Sequence, residues 1–183
     1  MSRTMHTVCL LLGSNIRAEE NLVQAVELLC THLVVLKTSS VWESAAVGSD
    51  GPNFLNAALL AITPLGPATL KELVLRPLEG QLGRVRTCDK NAPRTIDIDL
   101  MVFDQQVQDP DLRKFAHIAV PVSQIMADLC LEGGACLRDV ALALGQNTPL
   151  VFRGDVSLHP FTTAFQEHKD GRLRVGEHES GYP

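Results

Sequence analysis

Hydrophobic and polar residues form two kinds of pattern along the chain, and the first is typical of β-strands. Four segments have strand composition or alternation, at residues 7–12, 33–42, 54–62 and 94–103. The last segment alternates, and its apolar positions are Ile96, Ile98, Leu100 and Val102. Because successive side chains of a strand point to opposite faces, this segment predicts a strand with one apolar and one polar face.

The second pattern is helical spacing. Leu22, Val26 and Leu29 recur at helical intervals after the first strand, and a longer helix is expected over 68–82. Pro77 lies inside the longer helix and is expected to kink or break it, at a cost of roughly 3 kcal/mol, because proline has no backbone N–H. Two short helices are predicted at 121–129 and 137–144, and loops at 44–53 and 84–93.

The order of these elements, β-α-β-β-α-β, is typical of the split βαβ arrangement. It predicts an α+β fold of ferredoxin-like type, in which helices pack on an antiparallel sheet to form three α-β-α layers. We expect one domain over residues 1–147. Apolar periodicity is lost after about residue 148, so 148–183 is predicted to be a C-terminal tail that is partly ordered or mobile.

Composition narrows the class of protein. The chain has 183 residues, of which 45% are hydrophobic, and a net charge of −5. That hydrophobic content argues against a disordered chain. The acidic balance argues against general binding to nucleic acid, which depends on neutralising phosphates with Lys and Arg, although a local basic pocket for a small anion is compatible with it.

Cysteine usage and hydropathy bear on location. The five cysteines include no CxxC pair, so neither a disulfide framework nor a structural zinc site is expected. No apolar stretch approaches the ~20 residues of a membrane span, and the N-terminal run is too short for a signal sequence. We expect a cytoplasmic protein without membrane association, monomeric, with a dimer as the alternative.

Candidate chemistry is concentrated around the fourth strand. Asp97 and Asp99 are two residues apart, so a strand would present both carboxylates on one face, roughly 6.5–7 Å apart. Such a pair repels itself and suits Mg²⁺, which is typically held by one or two carboxylates, water and substrate phosphates. Four basic residues lie just upstream: Arg84, Arg86, Lys90 and Arg94.

Carboxylates beside arginines are typical of phosphoryl transfer, because a metal and guanidinium groups together neutralise phosphate oxygens. The alternative is a solvated strand face on which the aspartates form salt bridges with those arginines. The sequence contains no GxxxxGK[ST] or GxGxxG motif, so a nucleotide would not bind through a P-loop or a dinucleotide fold.

Several motifs occur in an order that resembles one family, the 6-hydroxymethyl-7,8-dihydropterin pyrophosphokinases, over roughly residues 6–130. The motifs are Leu12-Gly-Ser-Asn15, Ser39-Ser40, Val47-Gly48, Phe54-Leu-Asn56-Ala57, Glu79, Gly83-Arg-Val-Arg86 and Pro93-Arg-Thr-Ile-Asp-Ile-Asp99. The resemblance implies transfer of pyrophosphate from ATP to the hydroxymethyl group of the pterin, leaving AMP, in folate biosynthesis. It also implies two Mg²⁺ ions held by Asp97 and Asp99.

The resemblance assigns further residues to the two substrates. For ATP it implies phosphate contacts from Arg84 and Arg94, a catalytic-loop role for Arg86 and a nucleotide-site role for Glu79. For the pterin it implies a pocket formed by five residues: Ser44, Ala45, Val47, Phe54 and Asn56. An aromatic ring can stack on the bicyclic pterin, and an amide offers the donors and acceptor that the aminopyrimidinone edge requires.

The sequence also departs from the family pattern. Asn91 stands where typical members have a Trp that closes over the pterin, and the segment that supplies a Pro-His pair and an Arg to ATP is shorter here. We expect Arg113 or Lys114 to supply the missing positive charge and His117 to stack on the pterin. These departures affect the lid and the nucleotide contacts, so they predict an altered rate and leave the reaction type unchanged.

Two other functions remain open at this point. One is a catalytically inactive relative that binds a pterin or a nucleotide, and the retained aspartates and arginines argue against it. The other is a pyrophosphokinase that acts on a different alcohol. Retained Phe54 and Asn56 argue against that alternative, whereas Asn91 leaves it open.

Overall fold

The computed structural model describes residues 4–46, 51–85 and 92–158. Its strands are β1 His6–Ser14, β2 Val34–Thr38, β3 Trp42–Ser44, β4 Phe54–Thr63, β5 Asp97–Phe103, β6 Gln106–Val107 and β7 Val151–Phe152. Its α-helices are α1 Ala18–His32, α2 Pro67–Leu70, α3 Arg76–Gln81, α4 Ala116–Ser123 and α5 Leu137–Asn147. A π-helical turn at Lys71–Leu75 joins α2 to α3, and a 3₁₀ turn at Pro110–Arg113 precedes α4.

The strands form one sheet in the order β6-β5-β1-β4-β3-β7, and β2 also pairs with β4. Every pairing is antiparallel. Strands β1 and β4 pair along nine residues, from His6 opposite Thr63 to Ser14 opposite Leu55, so they form the centre of the sheet. The predicted α+β fold with an antiparallel sheet is confirmed.

Two hydrophobic cores lie on opposite faces of the sheet. The first packs α1, α2 and α3 against one face, and its fully buried side chains include Leu10, Leu22 and Leu59. The second packs α4 and α5 against the other face around Cys9 and Met101. Burial raises the pKa of the Cys9 thiol to about 12, so this side chain behaves as a small apolar residue.

One detail of the predicted β5 pattern is wrong. Cys9 pairs with Val102 but Leu10 pairs with Leu100, so the register shifts and Met101 is an extra residue in β5. Because one residue is inserted, every later side chain of the strand lies on the other face of the sheet. Val102 therefore packs in the second core, whereas Ile98 packs in the first.

The predicted long helix is continuous but not uniformly α-helical. The π-helical turn precedes Pro77, and the Arg76 N–H bonds to the carbonyl of Lys71 in the i→i+5 pattern. Local π geometry is a known way for a helix to accommodate an irregular residue. Pro77 is the second residue of α3, and at the start of a helix the missing backbone N–H of proline is tolerated. Pro77 therefore does not end the helix.

Several other boundaries differ from the prediction. The strand expected over 33–42 is two strands, because residues 39–41 leave the ladder between β2 and β3. The helix expected at 121–129 begins earlier, at Ala116, and ends at Ser123. Strands β6 and β7 are too short for a periodicity to predict them. Among the described residues, no helix combines the length and apolarity that crossing a membrane would require.

The first part of the predicted tail packs on the domain. Strand β7 pairs with β3, and Leu158 is 1% exposed in the first core. The remaining positions of the predicted tail, 159–183, lie outside the described residues. An isolated two-residue strand adds little stability, so the burial of Leu158 is what attaches this segment to the core.

We expect Leu158→Ala to lower the free energy of unfolding by about 3 kcal/mol, because it removes buried methyl groups and leaves a cavity. Urea denaturation measures the change. The matched control is Val151→Ala, whose side chain is 59% exposed, and we expect a change within about 0.5 kcal/mol. Equal effects of the two substitutions would show that the segment does not pack on the core.

Candidate active site

A cavity of about 320 Å³ opens at one end of the sheet, where β1, β3, β4 and β5 meet the start of α4. Three central strands place a row of residues at its floor: Asn56 pairs with Gly13, and Gly13 pairs with Asp97. A Cβ on Gly13 would lie 3.4 Å from Oδ1 of Asn56. The glycine therefore leaves room for the amide and for anything that binds above it.

One wall of the cavity contains the side chains predicted to bind the pterin. Ser44, Ala45, Phe54 and Asn56 all line it. The Asn56 Nδ2 donates to Oγ of Ser44 at 3.0 Å, and both side chains are buried. This bond fixes the orientation of the amide, so its donor and acceptor have defined directions.

The start of α4 contributes further lining residues. Phe115 and His117 line the cavity with their ring centroids 5.4 Å apart and their planes inclined by 32°. Burial lowers the pKa of His117, although the negative charge of Asp111 opposes the shift. The imidazole is therefore neutral near pH 7 and offers a flat face to a planar ligand.

Arg94 connects the pterin wall to the carboxylates. Its guanidinium carbon lies 5.8 Å from the centre of the Phe54 ring, and its Nη1 donates to Oδ2 of Asp97 at 2.5 Å. The backbone of Arg94 is held by Asn15, whose Oδ1 accepts from the Arg94 N–H at 2.7 Å. Asn15 thus fixes the segment that leads into β5.

Asp97 is held by two arginines. Its Oδ1 accepts from Nη1 of Arg84, and its Oδ2 accepts from Arg94. Burial opposes ionisation of this carboxyl, but the hydrogen bonds and charges of Arg84 and then Arg94 outweigh burial, so the pKa of Asp97 falls below its ordinary value. Asp97 is therefore ionised and neutralised in this structure.

Glu79 anchors the same network from α3. It is 3% exposed, and its Oε1 accepts from Nη1 of Arg84 at 2.8 Å and from the backbone N–H of Ile98 at 3.0 Å. The second bond satisfies a donor on the edge of β5. Because a buried carboxylate is costly unless it is paired, Glu79 and Arg84 depend on one another.

Asp99 has a different environment. It forms no direct hydrogen bond or ion pair with the rest of the described chain. Its side chain is open to the cavity, but the surrounding protein raises its pKa to about 7 by desolvation, and then by the negative charges of Asp97, Asp109 and Glu79, against the charge of Arg84. Within the described residues, no direct ion pair therefore neutralises the negative charge that Asp99 carries when it is ionised.

A second cavity of about 120 Å³ adjoins the first on the side of α3. It is lined by Lys71, Leu75, Arg76, Glu79, Arg84, Asp97, Ile98 and Asp99. Both cavities are lined by the same two carboxylates, Asp97 and Asp99. A group transferred from a molecule in one cavity to a molecule in the other would pass these side chains.

The donor set is compatible with a divalent cation. No three His, Cys, Asp or Glu side chains in the described ranges cluster closely enough to hold a metal by themselves. Asp97 and Asp99 supply two carboxylates, one of them without a cationic partner, which is the protein contribution that Mg²⁺ typically uses when water and phosphate complete its shell. The predicted pairing of aspartates with arginines as salt bridges also occurs, but at Asp97 and not at Asp99.

The remaining predicted site residues have other positions. Lys114 is exposed, pairs with Asp111 at 2.8 Å and lines neither cavity. Arg113 faces Glu132, with 3.4 Å between Nη2 and Oε2. Val47, Arg86, Lys90 and Asn91 lie outside the described residues.

Sequence reasoning did not assign four residues that shape the site: Gly13, Asn15, Asp111 and Phe115. Gly13 and Asn15 belong to the motif Leu12-Gly-Ser-Asn15, which indicated these residues without giving their roles. Asp111 lies within a 3₁₀ turn and Phe115 follows it; the start of the turn is marked by Pro110 and by the Asp109 side chain accepting from the Asp111 N–H. Nothing in the local sequence indicates that this turn faces the sheet.

Comparison with known proteins gives a consistent result. Residues 9–127 match the family model described as 7,8-dihydro-6-hydroxymethylpterin-pyrophosphokinase. A 2-amino-4-hydroxy-6-hydroxymethyldihydropteridine pyrophosphokinase from Aquifex aeolicus is 38% identical over 115 residues, covering 62% of this chain and 71% of the relative. The enzyme of the same name from Pseudomonas aeruginosa is 30% identical over 146 residues, covering 72% of this chain and 88% of the relative.

Longer proteins also contain a similar region. The mitochondrial folate synthesis bifunctional protein of Arabidopsis thaliana is 36% identical over 103 residues, which is 55% of this chain and 18% of that protein. The solved structure of Plasmodium falciparum HPPK-DHPS with pteroate has a TM-score of 0.62 at 10% identity and covers 80% of this chain and 44% of that chain. At that identity the similarity shows the fold.

We expect Arg84→Met to lower the free energy of unfolding at pH 7 by about 3 kcal/mol, because it leaves Glu79 and Asp97 without a shared cation. Arg84 helps to hold the pKa of Asp97 below 3.8, so that contribution is complete above this pH and is lost as pH falls through the folded-state pKa. The difference between wild type and variant should therefore narrow below roughly pH 4.

Urea denaturation between pH 7 and pH 3 tests this expectation. Arg76→Met is the matched control, because Arg76 forms an exposed pair with Glu72 that is worth at most about 0.5 kcal/mol. A loss of stability in Arg84→Met that does not depend on pH would contradict the electrostatic role.

Proposed function

Because the chain belongs to the 7,8-dihydro-6-hydroxymethylpterin-pyrophosphokinase family, we propose that it transfers the terminal pyrophosphate of ATP to the hydroxymethyl group of 6-hydroxymethyl-7,8-dihydropterin, giving AMP, in folate biosynthesis. The observation that carries this proposal is that two cavities meet at Asp97 and Asp99. One has aromatic and amide walls that suit a pterin, and the other has basic residues that suit phosphates.

The larger cavity is proposed to hold the pterin between Phe54 and the rings of Phe115 and His117. A planar bicycle fits between aromatic walls, and Asn56 offers a donor and an acceptor to its polar edge. Held in this way, the hydroxymethyl group would point toward the row formed by Gly13 and Asp97. The walls would thus set the orientation of the attacking oxygen.

The smaller cavity is proposed to receive the nucleotide phosphates. Arg84 and Arg94 now donate to Asp97, and guanidinium groups bind phosphate oxygens with the same fork of donors. When a triphosphate binds, we propose that these arginines turn from Asp97 to the phosphate oxygens. Their charge would then stabilise the negative charge that develops during transfer.

Mg²⁺, when bound by Asp97 and Asp99, would neutralise phosphate oxygens and lower the barrier to transfer. Glu79 keeps Arg84 and the edge of β5 in place through its two hydrogen bonds. Asn15 holds the backbone of Arg94. The exchange of partners at Asp97 therefore requires movement of side chains on a fixed backbone.

The exposed free thiols of Cys30 and Cys130 support a reducing compartment such as the cytoplasm. The net charge of −5 supports small-molecule substrates and argues against nucleic acid as a partner.

A second candidate is a non-catalytic relative that binds the pterin. The specific observation in its favour is that both oxygens of Asp97 already accept from arginines. If these pairs persist when nucleotide is present, Asp97 cannot hold a cation. Asp99, which pairs with no cationic side chain among the described residues, favours the enzyme.

Incubation of the purified chain with ATP, Mg²⁺ and 6-hydroxymethyl-7,8-dihydropterin should yield AMP. We expect Asp99→Asn to lower the rate about a thousandfold, because it removes a carboxylate from the transfer site, while pterin binding is retained. Asp128→Asn is the control, since Asp128 is exposed and pairs with Arg138 away from both cavities. If the wild type binds the pterin but forms no AMP, the result would support the non-catalytic candidate. If AMP forms only when a different alcohol replaces the pterin, the result would contradict the proposed substrate.

We expect Phe54→Leu to raise the dissociation constant for the pterin about fivefold, because leucine keeps an apolar wall but loses the aromatic stack. Isothermal titration with the pterin measures the change. Phe103→Leu is the matched control, because Phe103 lies on β5 outside the cavity and contacts His6. An equal effect of both substitutions would argue against a pterin in this cavity.

A further inference from the structure

The segment that follows α5 returns to the edge of the sheet next to the larger cavity. Strand β7 pairs with β3 so that Phe152 lies opposite Trp42 and Val151 opposite Glu43. The Arg153 N–H then donates to the carbonyl of Val41 at 2.9 Å. This places the Arg153 side chain beside the strand that carries Ser44 into the cavity.

The Arg153 guanidinium joins three acidic side chains. Its Nη1 donates to Oε2 of Glu43 at 2.9 Å, its Nη2 donates to Oε1 of Glu19 at 2.5 Å, and its Nε and Nη2 donate to Asp155 at 2.9 and 2.7 Å. The Arg153 side chain is 22% exposed. It therefore links α1, β3 and the C-terminal segment through one charged group.

Glu43 passes this restraint to both ends of the stretch between β3 and β4. Its other oxygen, Oε1, accepts from Nδ2 of Asn53 at 2.8 Å. Glu43 directly precedes Ser44 and Asn53 directly precedes Phe54, and Ser44 pairs with Phe54 in the sheet. The bond from Asn53 and then that from Arg153 lower the pKa of Glu43, so the carboxylate is ionised.

Burial of its own side chains does not account for how β7 is held against β3, although Leu158 attaches the segment to the first core. Val151 and Phe152 are 59% and 52% exposed, and β7 has two residues. Its contact with β3 therefore depends on the two backbone pairings, the Trp42–Phe152 ring contact at 5.8 Å between centroids, and Arg153. The arginine reaches Glu43, the side chain directly before Ser44 of the cavity wall.

We propose that Arg153 is a positioning residue for the pterin cavity: through Glu43 and Asn53 it holds Ser44 and Phe54 in the geometry that accepts the ligand. The identity of the ligand rests on the proposed function. Holding the wall in its binding geometry before the ligand arrives reduces the entropy lost on binding. Arg153 itself lines neither of the two cavities.

The test measures pterin binding through the fluorescence of Trp42, the sole tryptophan of the sequence, which lies on β3. Arg153→Met should raise the dissociation constant for 6-hydroxymethyl-7,8-dihydropterin about fivefold, in keeping with the loss of the part-exposed ion pair with Glu43. Binding of a non-hydrolysable ATP analogue, measured by calorimetry without pterin, should be unchanged. Arg153→Lys should restore part of the pterin affinity, since it keeps the charge.

Two matched variants separate positioning from general stability. Glu19→Gln and Asp155→Asn each remove another partner of Arg153 but leave its bond to Glu43, and we expect wild-type pterin affinity from both. A double-mutant cycle of Arg153→Met with Glu43→Gln should be non-additive in pterin affinity, because the two residues act through one contact.

The outcomes are distinct. Wild-type binding with an unchanged dissociation constant in Arg153→Met would overturn the role of Arg153 and leave the proposed function intact. An equal loss of pterin and nucleotide affinity, accompanied by a lower Tm, would show a merely structural role and also overturn the proposal. No pterin binding by the wild type would contradict the proposed function itself.

Discussion

The site depends on a stretch of strand edge that carries two carboxylates. Strand β6 pairs with β5 at Val102 and Phe103, so in the described part of the sheet no strand covers the start of β5 on that side. The Glu79 carboxylate satisfies the Ile98 N–H there, and Arg84 neutralises Glu79. An uncovered edge gives a second molecule access to Asp97 and Asp99 from the side, while the cavity on the sheet face gives access from above.

Charge balance explains why the two aspartates differ. Asp97 lies between Arg84 and Arg94, and its pKa falls, whereas Asp99 has no such partner and its pKa rises to about 7. In the proposed reaction the charges of phosphates and of a cation would be complementary to those of these arginines and carboxylates. In this structure Arg84, Arg94 and Asp97 satisfy one another.

Contacts between charged side chains also connect the C-terminal segment to the site through β3. Strand β3 is three residues long, and its last residue, Ser44, lines the cavity. A strand so short has little intrinsic stability, so its geometry depends on neighbours: β4 on one side, and β7 with Arg153 on the other. The residues just after α5 therefore pack on the same domain as the site, and Leu158 anchors them in the first core.

The sequence by itself determined the local elements and the family. Alternation in β5 placed Asp97 and Asp99 on a polar face, helical spacing predicted α1, and ordered motifs indicated the family. What depends on contacts between distant segments was decided by tertiary structure alone: the register shift at Met101, the partners of Asp97, the turn of Phe115 toward the sheet and the docking of Arg153. Periodicity reports which face of an element is apolar, but the partner of a charged side chain is set by which segments the fold brings together.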